Sequence, residues 1–145
     1  MHEVSRYLFL AGSLPFLFLG SAHAIATPLR SDRPRGLSPA DPRLIEALST
    51  ATVRLTRRTT LWLAWIGFNF SHSLGAVLFG LVVLLVGRSD VSFRAEAPYF
   101  GPLAVIVLGV YLVLAIRYWF RTPIIGCGLS FVLFLLSWAL QLAGR

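Results

Sequence analysis

Charged residues are scarce in this chain. Only 13% of its 145 residues are Asp, Glu, Lys or Arg, whereas a soluble domain carries about 25%. Lysine is absent, so arginine supplies all thirteen basic side chains and the net charge of +7. The single cysteine, Cys127, excludes an intrachain disulfide. This composition argues against both an ordinary soluble domain and a disulfide-stabilised one.

Four apolar stretches contain no charged residue when histidine is counted as neutral. They are 23, 29, 20 and 23 residues long and comprise Tyr7–Leu29, Thr59–Gly87, Ala97–Ile116 and Thr122–Gly144. A helix needs about 20 residues to cross the hydrocarbon core of a bilayer. The sequence therefore predicts an all-α polytopic membrane protein, a four-helix bundle with a single membrane domain over residues 1–145. The transmembrane helices are expected at 7–29, 60–87, 98–118 and 122–143.

Carboxylates are missing from all four predicted spans. The six acidic residues are Glu3, Asp32, Asp41, Glu46, Asp90 and Glu96. Proton-coupled transport commonly uses an acidic side chain at depth, and glycosidase or two-metal chemistry needs paired carboxylates. The sequence also contains no GxGxxG, P-loop or HExxH motif. Ion-coupled pumping, nucleotide binding and hydrolysis of these kinds are therefore not favoured.

The arginines are unevenly distributed between the two sides of the predicted membrane protein. The connection 30–58 holds seven of them, and Arg117 and Arg121 add two on the same side, against four on the other. Arginine-rich connections of this length stay in the cytoplasm. The distribution predicts a multi-pass membrane protein with both termini outside. The arginine-rich connection would face anionic lipid headgroups, which are nearer partners than nucleic acid.

The first apolar stretch also has features of a signal peptide. Ala22, His23 and Ala24 form an A-x-A cleavage pattern after an apolar segment. Cleavage there would leave the connection 30–58 on the exported side, against the tendency of arginine to stay inside. Retention of the stretch as the first transmembrane helix is therefore expected.

A short amphipathic helix is predicted in the connection 30–58, within the segment SPADPRLIEALSTATVRL. Asp41 can cap this helix, and Pro42 suits its first turn. A mostly apolar stripe follows at helical spacing and comprises Ile45, Leu48, Thr52 and Leu55. The helix is expected to lie on the inner leaflet, with packing over the end of the bundle as the alternative.

The segment GFNFSHSLG, residues 67–75, places polar side chains inside the second predicted helix. A helical projection puts a ridge of small residues on one side and a mixture of small and polar residues on the other. The ridge comprises Gly67, Ser71 and Gly75, and the other side comprises Asn69, His72, Ala76 and Gly80. Small residues let membrane helices approach closely, so Gly67, Gly75 and Gly80 are predicted helix-packing positions and this helix is expected at the centre of the bundle.

Polar side chains at such depths cost free energy when they face lipid, so they are expected to face the interior of the bundle. The fourth predicted helix carries polar residues at steps of three and four, and His23 is expected at a depth similar to that of His72. A polar cluster for ligand binding or interhelical hydrogen bonding is therefore predicted from His23, Asn69, Ser71, His72, Ser73, Ser130 and Ser137. Interfacial anchors are predicted at Trp62, Trp65, Arg117, Tyr118 and Trp119.

The block TLWLAWIGFNFSHSLGAVLFG, residues 60–80, follows an arginine pair and a threonine. It resembles the signature of a family of small four-helix membrane proteins from bacteria. The resemblance implies a four-helix plan, a glycine–histidine turn in the first helix and an arginine-rich connection before the block. It also implies a location in the bacterial inner membrane. It points to the positions His23, Trp65, Asn69, Ser71, His72 and Ser73. It implies no activity.

A non-catalytic role is favoured by this sequence. The first hypothesis is a helix-packing or accessory subunit of a membrane assembly, in which polar residues hydrogen-bond across helices. The second is a module that binds a quinone or lipid in a pocket around His23, Asn69 and His72, with aromatic side chains lining the cavity. No cofactor is predicted under the first hypothesis.

Two further hypotheses rank lower. Haem b could be ligated by His23 and His72 if both imidazoles reach one iron. Hydrolysis by Ser71 or Ser73 ranks last, because adjacent helical residues point about 100° apart and His72 is then poorly placed as a base for either hydroxyl.

Overall fold

The structure, a computed structural model, describes residues 1–144. These residues form five α-helices and one two-stranded antiparallel hairpin. The elements are α1 His2–Ala26, α2 Pro42–Thr50, β1 Thr52–Val53, β2 Thr56–Thr60, α3 Leu61–Gly87, α4 Asp90–Tyr118 and α5 Arg121–Ala143. The helices α1, α3, α4 and α5 are each long and apolar enough to cross a membrane. The prediction of four such helices is confirmed.

Helix α4 is longer than its predicted span, because it begins at Asp90 and not near residue 98. The hydroxyl of Ser89 caps it and accepts a hydrogen bond from the backbone N–H of Ser92 at 3.1 Å. Pro98 and Pro102 lie inside the helix, where each removes one backbone donor. The first turns of α4 contain charged residues and are not part of an apolar stretch. A prediction from apolar stretches alone therefore places the start of the helix too late.

Helix α2 begins as predicted, with Pro42 in its first turn and Asp41 as its N-cap. The Asp41 carboxylate accepts a hydrogen bond from the backbone N–H of Arg43 at 3.0 Å. The Arg43 guanidinium also donates to both carboxylate oxygens and lowers the pKa of Asp41 below its ordinary value. The cap is therefore charged at neutral pH and is lost only as the pH falls through this lowered value.

The predicted continuation of α2 through Leu55 is wrong. The helix ends at Thr50, and the following residues form the β1–β2 hairpin, with Thr52 paired to Thr60 and Val53 paired to Thr56. Thr and Val are β-branched and favour extended backbone over helix. The segment 52–60 is rich in these residues, and this local preference outweighs the apolar spacing that suggested a longer helix.

The described chain forms two compact units. One comprises residues 1–19 with residues 76–144, and the other comprises Gly20–Gly75. Helices α1 and α3 each contribute residues to both. We call them the first unit and the second unit.

An aromatic cluster forms the centre of the first unit. Phe9 and Phe134 are fully buried, with ring centroids 5.4 Å apart, and Phe93 lies 5.5 Å from Phe9. Gly12 allows this packing, since a Cβ built on it would lie 2.9 Å from the Phe134 ring. Leu17 likewise packs on Gly80, where a Cβ would lie 2.5 Å from Leu17 Cγ.

Many large apolar side chains point away from the protein interior. Phe18, Ile106 and Ile125 are 69%, 63% and 68% exposed, and similar residues occur on all four long helices. Soluble monomers rarely leave so many large apolar side chains exposed. This surface is suited to contact with lipid acyl chains.

Candidate functional site

The candidate site lies in the second unit and is built from two helices. His23 is in the last turn of α1, and Asn69 and His72 are three residues apart on α3, so both α3 side chains lie on one side of the helix. We call His23, Asn69 and His72 the polar cluster. These three of the seven predicted polar positions are brought together by the structure.

Asn69 is the centre of the polar cluster and is 0% exposed. Its Nδ2 donates to the carbonyl of Trp65, one turn earlier, at 2.7 Å. Its Oδ1 lies 2.7 Å from His23 Nε2. Because an amide oxygen only accepts, His23 donates through its Nε2–H. Both ends of the amide are therefore satisfied within the chain, and the bond to His23 joins α1 to α3.

His72 is half-buried beside this hydrogen bond. Its ring centroid lies 5.1 Å from that of His23, with the two rings inclined at 57°. The Phe68 ring also stacks on it, with centroids 6.1 Å apart and an interplanar angle of 19°. The imidazole of His72 is therefore in contact with both the His23 ring and the Phe68 ring.

The serines beside the polar cluster use their hydroxyls on their own helix. Ser73 is buried and donates to the carbonyl of Asn69 at 2.9 Å, while Ser71 is exposed and donates to the carbonyl of Phe68 at 2.9 Å. Such bonds to the preceding turn are common for helical serine. Neither hydroxyl is aligned with a histidine base in the described chain, so the geometry gives no support to a serine nucleophile.

The ridge Gly67–Ser71–Gly75 does not pack within the chain. Beyond the adjoining residues and backbone of α3 itself, a Cβ built on Gly67 or Gly75 meets no heavy atom of residues 1–144 within 4 Å, in contrast to Gly80. The expectation that α3 has two packed faces therefore does not hold at these glycines. Their side of the helix is open.

Two of the predicted anchors lie within the second unit. Trp62 is only 4% exposed, so its ring lies inside the protein and not on an outward surface. Trp65 is half-buried, and its Nε1 is buried without a hydrogen-bond partner among residues 1–144. Both lie on the side of α3 that carries Asn69, which the helical projection also gives.

The remaining predicted anchors lie at the end of α4. Arg117 and Tyr118 are exposed, and Trp119 is half-buried and forms the C-cap. Their position at a membrane interface stays a prediction.

Ser130 and Ser137, the other predicted polar positions, belong to the first unit and are fully buried. Ser137 Oγ donates to the carbonyl of Ser5 at 2.8 Å, and Ser5 Oγ donates to the carbonyl of Ser137 at 2.8 Å. The Ser130 hydroxyl has no hydrogen-bond partner among the described residues. Ser5 was missed by the sequence analysis, although it begins a stripe at helical spacing that continues through Phe9 and Gly12.

The polar cluster does not fit haem ligation as it stands. Two imidazoles on opposite faces of one iron hold their ring centres roughly 6 Å apart, because each metal–nitrogen bond is about 2 Å. The rings of His23 and His72 are closer than this, and His23 Nε2 is already hydrogen-bonded to Asn69. No chemistry is therefore assigned to this pair through haem.

Another group of potential metal ligands, not anticipated from the sequence, lies at the start of α1 and α4. The ligand atoms of His2, Glu3 and Asp90 all lie within 4.8 Å of one another. However, Glu3 pairs with Arg6 at 3.0 Å and Asp90 pairs with Arg94 at 2.8 Å. These arginines neutralise both carboxylates, so the group is best described as an ion-pair network.

Similarity to known proteins adds nothing to this geometry. Comparisons with protein families, with curated proteins and with solved structures give no match. The resemblance of residues 60–80 to a family of small bacterial membrane proteins therefore stays a prediction.

Proposed function

We propose that the chain is a non-catalytic, multi-pass protein of the bacterial inner membrane and acts as a helix-packing or accessory subunit of a membrane assembly. The observation that carries the proposal is the buried Asn69, whose amide is satisfied at both ends by His23 and the backbone of Trp65. A buried amide whose nitrogen and oxygen are both hydrogen-bonded within the chain serves to join helices. It is not presented to a substrate.

The proposed orientation places both termini outside and the connection 30–58 in the cytoplasm. It is supported by the seven arginines of that connection. The helix α2 and the adjoining arginines would then lie against the anionic inner leaflet. The four long apolar helices are compatible with four membrane crossings.

We expect the Asn69→Ala variant to lose about 0.6 kcal/mol of unfolding free energy, because this is roughly what one interhelical hydrogen bond contributes in a membrane protein and Asn69 makes one such bond, to His23. Denaturant titration in mixed micelles, followed by circular dichroism, measures this. Ser71→Ala is the matched control, since its hydroxyl is exposed and bonds only to its own helix.

A double-mutant cycle isolates the His23–Asn69 bond. His23→Phe and Asn69→Leu should show a coupling energy of about 0.6 kcal/mol. A loss for Asn69→Ala no greater than that for Ser71→Ala, together with no coupling to His23, would remove the basis of the structural role.

An accessory subunit needs a surface for its partner, and we place it on the open ridge of α3. Gly67→Leu and Gly75→Leu are expected to reduce the retention of partner proteins about tenfold, because overpacking costs about 1–3 kcal/mol. The measurement is gentle extraction from native membranes followed by mass determination of what co-purifies. Ala139→Leu introduces the same side chain at an exposed position of α5 and should retain the partner.

Retention of the same partner by all three variants would contradict docking on this ridge. An extract of the unaltered chain that contains no partner protein would contradict the accessory role itself. Helical content by circular dichroism must be unchanged in each variant, so that loss of a partner is not confused with loss of the fold.

A second candidate function, binding of a quinone or lipid, is favoured by one observation. The indole Nε1–H of Trp65 is buried without an acceptor in the described chain, on the same side of α3 as Asn69 and His72. A ligand carbonyl or ester oxygen would accept this hydrogen bond. The same extract distinguishes the two functions, because a stoichiometric quinone or lipid without protein partners supports the ligand-binding role.

A further inference from the structure

The β1–β2 hairpin presents an apolar side chain at its tip. Arg54 and Leu55 form the turn between Val53 and Thr56. Leu55 is 95% exposed, the largest exposed fraction of any large apolar side chain in the described chain. Turns that face water favour Gly, Asn, Asp, Ser or Pro. A leucine there points to a non-aqueous surrounding for the tip.

The same hairpin carries a positive charge that nothing in the described chain neutralises. Arg54, Arg57 and Arg58 are exposed, and none of the ion pairs within residues 1–144 includes them. The segment 51–60 contains no carboxylate. By contrast, Arg30 and Arg43, in the same connection, pair with nearby aspartates. We call Leu55 with the three unpaired arginines the hairpin tip.

The base of the hairpin is fixed to the start of a long apolar helix. β2 ends at Thr60, and α3 begins at the next residue. The backbone N–H of Leu61 also donates to the carbonyl of Ala51 at 2.8 Å, which closes the base of the hairpin. A strand of five residues extends about 16 Å. Where α3 enters a membrane, the hairpin tip is therefore within reach of the headgroup layer.

We propose that the hairpin tip is a lipid anchor: Leu55 inserts among the acyl chains of the inner leaflet, and Arg54, Arg57 and Arg58 bind the phosphates of anionic lipids. This rests on the membrane insertion given under Proposed function and names the lipid-binding element within the connection. An anionic lipid surface is the occupant that fits both halves of the tip. A nucleic acid would match the arginines but would leave Leu55 in water, and an acidic protein surface would need an apolar recess as well.

The test uses the full chain in lipid nanodiscs. In a Cys127→Ala background, Leu55→Cys is labelled with an environment-sensitive fluorophore, and quenching by acyl-chain-brominated lipid is measured. Ser31→Cys, an exposed site of the same connection outside the hairpin, is the matched control. Ile106→Cys, exposed on α4, reports whether the long helices are inserted at all.

We expect the probe at position 55 to be quenched in discs that contain phosphatidylglycerol, and the probe at position 31 to be quenched much less. Replacing the three arginines by glutamine should weaken partition of the tip into the lipid about fivefold for each arginine, because each arginine near an anionic surface contributes about 1 kcal/mol. Discs of phosphatidylcholine alone, which have no anionic lipid, should weaken the partition to the same extent. Salt at about 1 M, where the Debye length is about 3 Å, should act in the same direction.

Two outcomes would overturn the anchor. The first is a probe at position 55 that is quenched no more than the probe at position 31, while the probe at position 106 is quenched. The second is a probe at position 55 that is protected from water in native membranes but exposed to water in discs. This result would show that a protein, and not lipid, covers the hairpin tip. A probe at position 106 that escapes quenching would refute membrane insertion itself, which separates the failure of the proposed function from that of the anchor.

Discussion

Replacing Phe134 by alanine is expected to cost about 3 kcal/mol of unfolding free energy, the largest loss among the variants considered. The side chain is 0% exposed, packs against the Phe9 ring with centroids 5.4 Å apart and lies directly over Gly12. Truncation of a buried phenylalanine leaves a cavity that neighbouring side chains only partly fill, at a cost of about 3–5 kcal/mol. The lower figure applies because the unfolded chain in a micelle keeps its apolar groups out of water.

Phe18→Ala is the matched control, since the same side chain is removed from a position of α1 that is 69% exposed. It should change the unfolding free energy by less than about 0.5 kcal/mol. Denaturant titration in mixed micelles, followed by circular dichroism, gives both values. Equal losses for the two variants would mean that the aromatic cluster of the first unit does not pack as described.

The long helices could be predicted because their signal is coarse and strong. A charge-free stretch of 20 or more residues has few alternatives to a membrane-spanning helix. The start of α4 was placed too late for the same reason, since Asp90, Arg94 and Glu96 hide its first turns from a hydropathy pattern. An apolar stretch indicates which residues lie in the hydrocarbon core of the membrane. The helix itself extends further, as far as its backbone hydrogen bonds continue.

The hairpin was missed because two weak signals compete over a short segment. Ile45 and Leu48 have helical spacing, and Thr52 and Leu55 continue it, but β-branched residues dominate from Thr52 onward. Segments this short gain little from either preference, so their tertiary surroundings decide the outcome. In the structure Leu55 lies at the tip of the hairpin turn and is exposed. The spacing of apolar residues along the sequence could not predict this exposure.

The polar cluster was partly predictable. Helical projection placed Asn69 and His72 on one side of α3, and the distance of His23 from the end of its helix placed it at a similar depth. The projection also puts Trp62 and Trp65 on that side. The two tryptophans were instead predicted as interfacial anchors, because tryptophan is generally enriched at membrane interfaces. The closed hydrogen bonding of Asn69 could not be predicted, because it depends on how closely two helices approach. Approach distances depend on every side chain between the helices.

Glycines on α3 give the second large prediction, because two of them have opposite surroundings. An alanine Cβ at position 80 would lie 2.5 Å from Leu17 Cγ and 2.7 Å from Leu17 Cδ2, whereas at position 75 it would meet no atom within 4 Å. Overpacking costs about 1–3 kcal/mol. Removing a glycine from a helix interior returns about 1 kcal/mol. We expect Gly80→Ala to lower the unfolding free energy by about 1 kcal/mol and Gly75→Ala to raise it by a similar amount.

The comparison of Gly80→Ala with Gly75→Ala is internally matched, since both add one methyl group to the same helix and gain the same helical preference. The difference of about 2 kcal/mol therefore measures the clash with Leu17. In a double-mutant cycle, Gly80→Ala should cost less in a Leu17→Ala background than in the unaltered chain, because the smaller side chain leaves room for the added Cβ. If both glycine variants stabilise the purified chain equally, Leu17 does not rest on Gly80, and the packing of α1 on α3 in the first unit must differ from that described. If Gly75→Ala is instead destabilising in the purified chain, the open side of α3 is already occupied, and a second copy of the chain is the only protein present to occupy it.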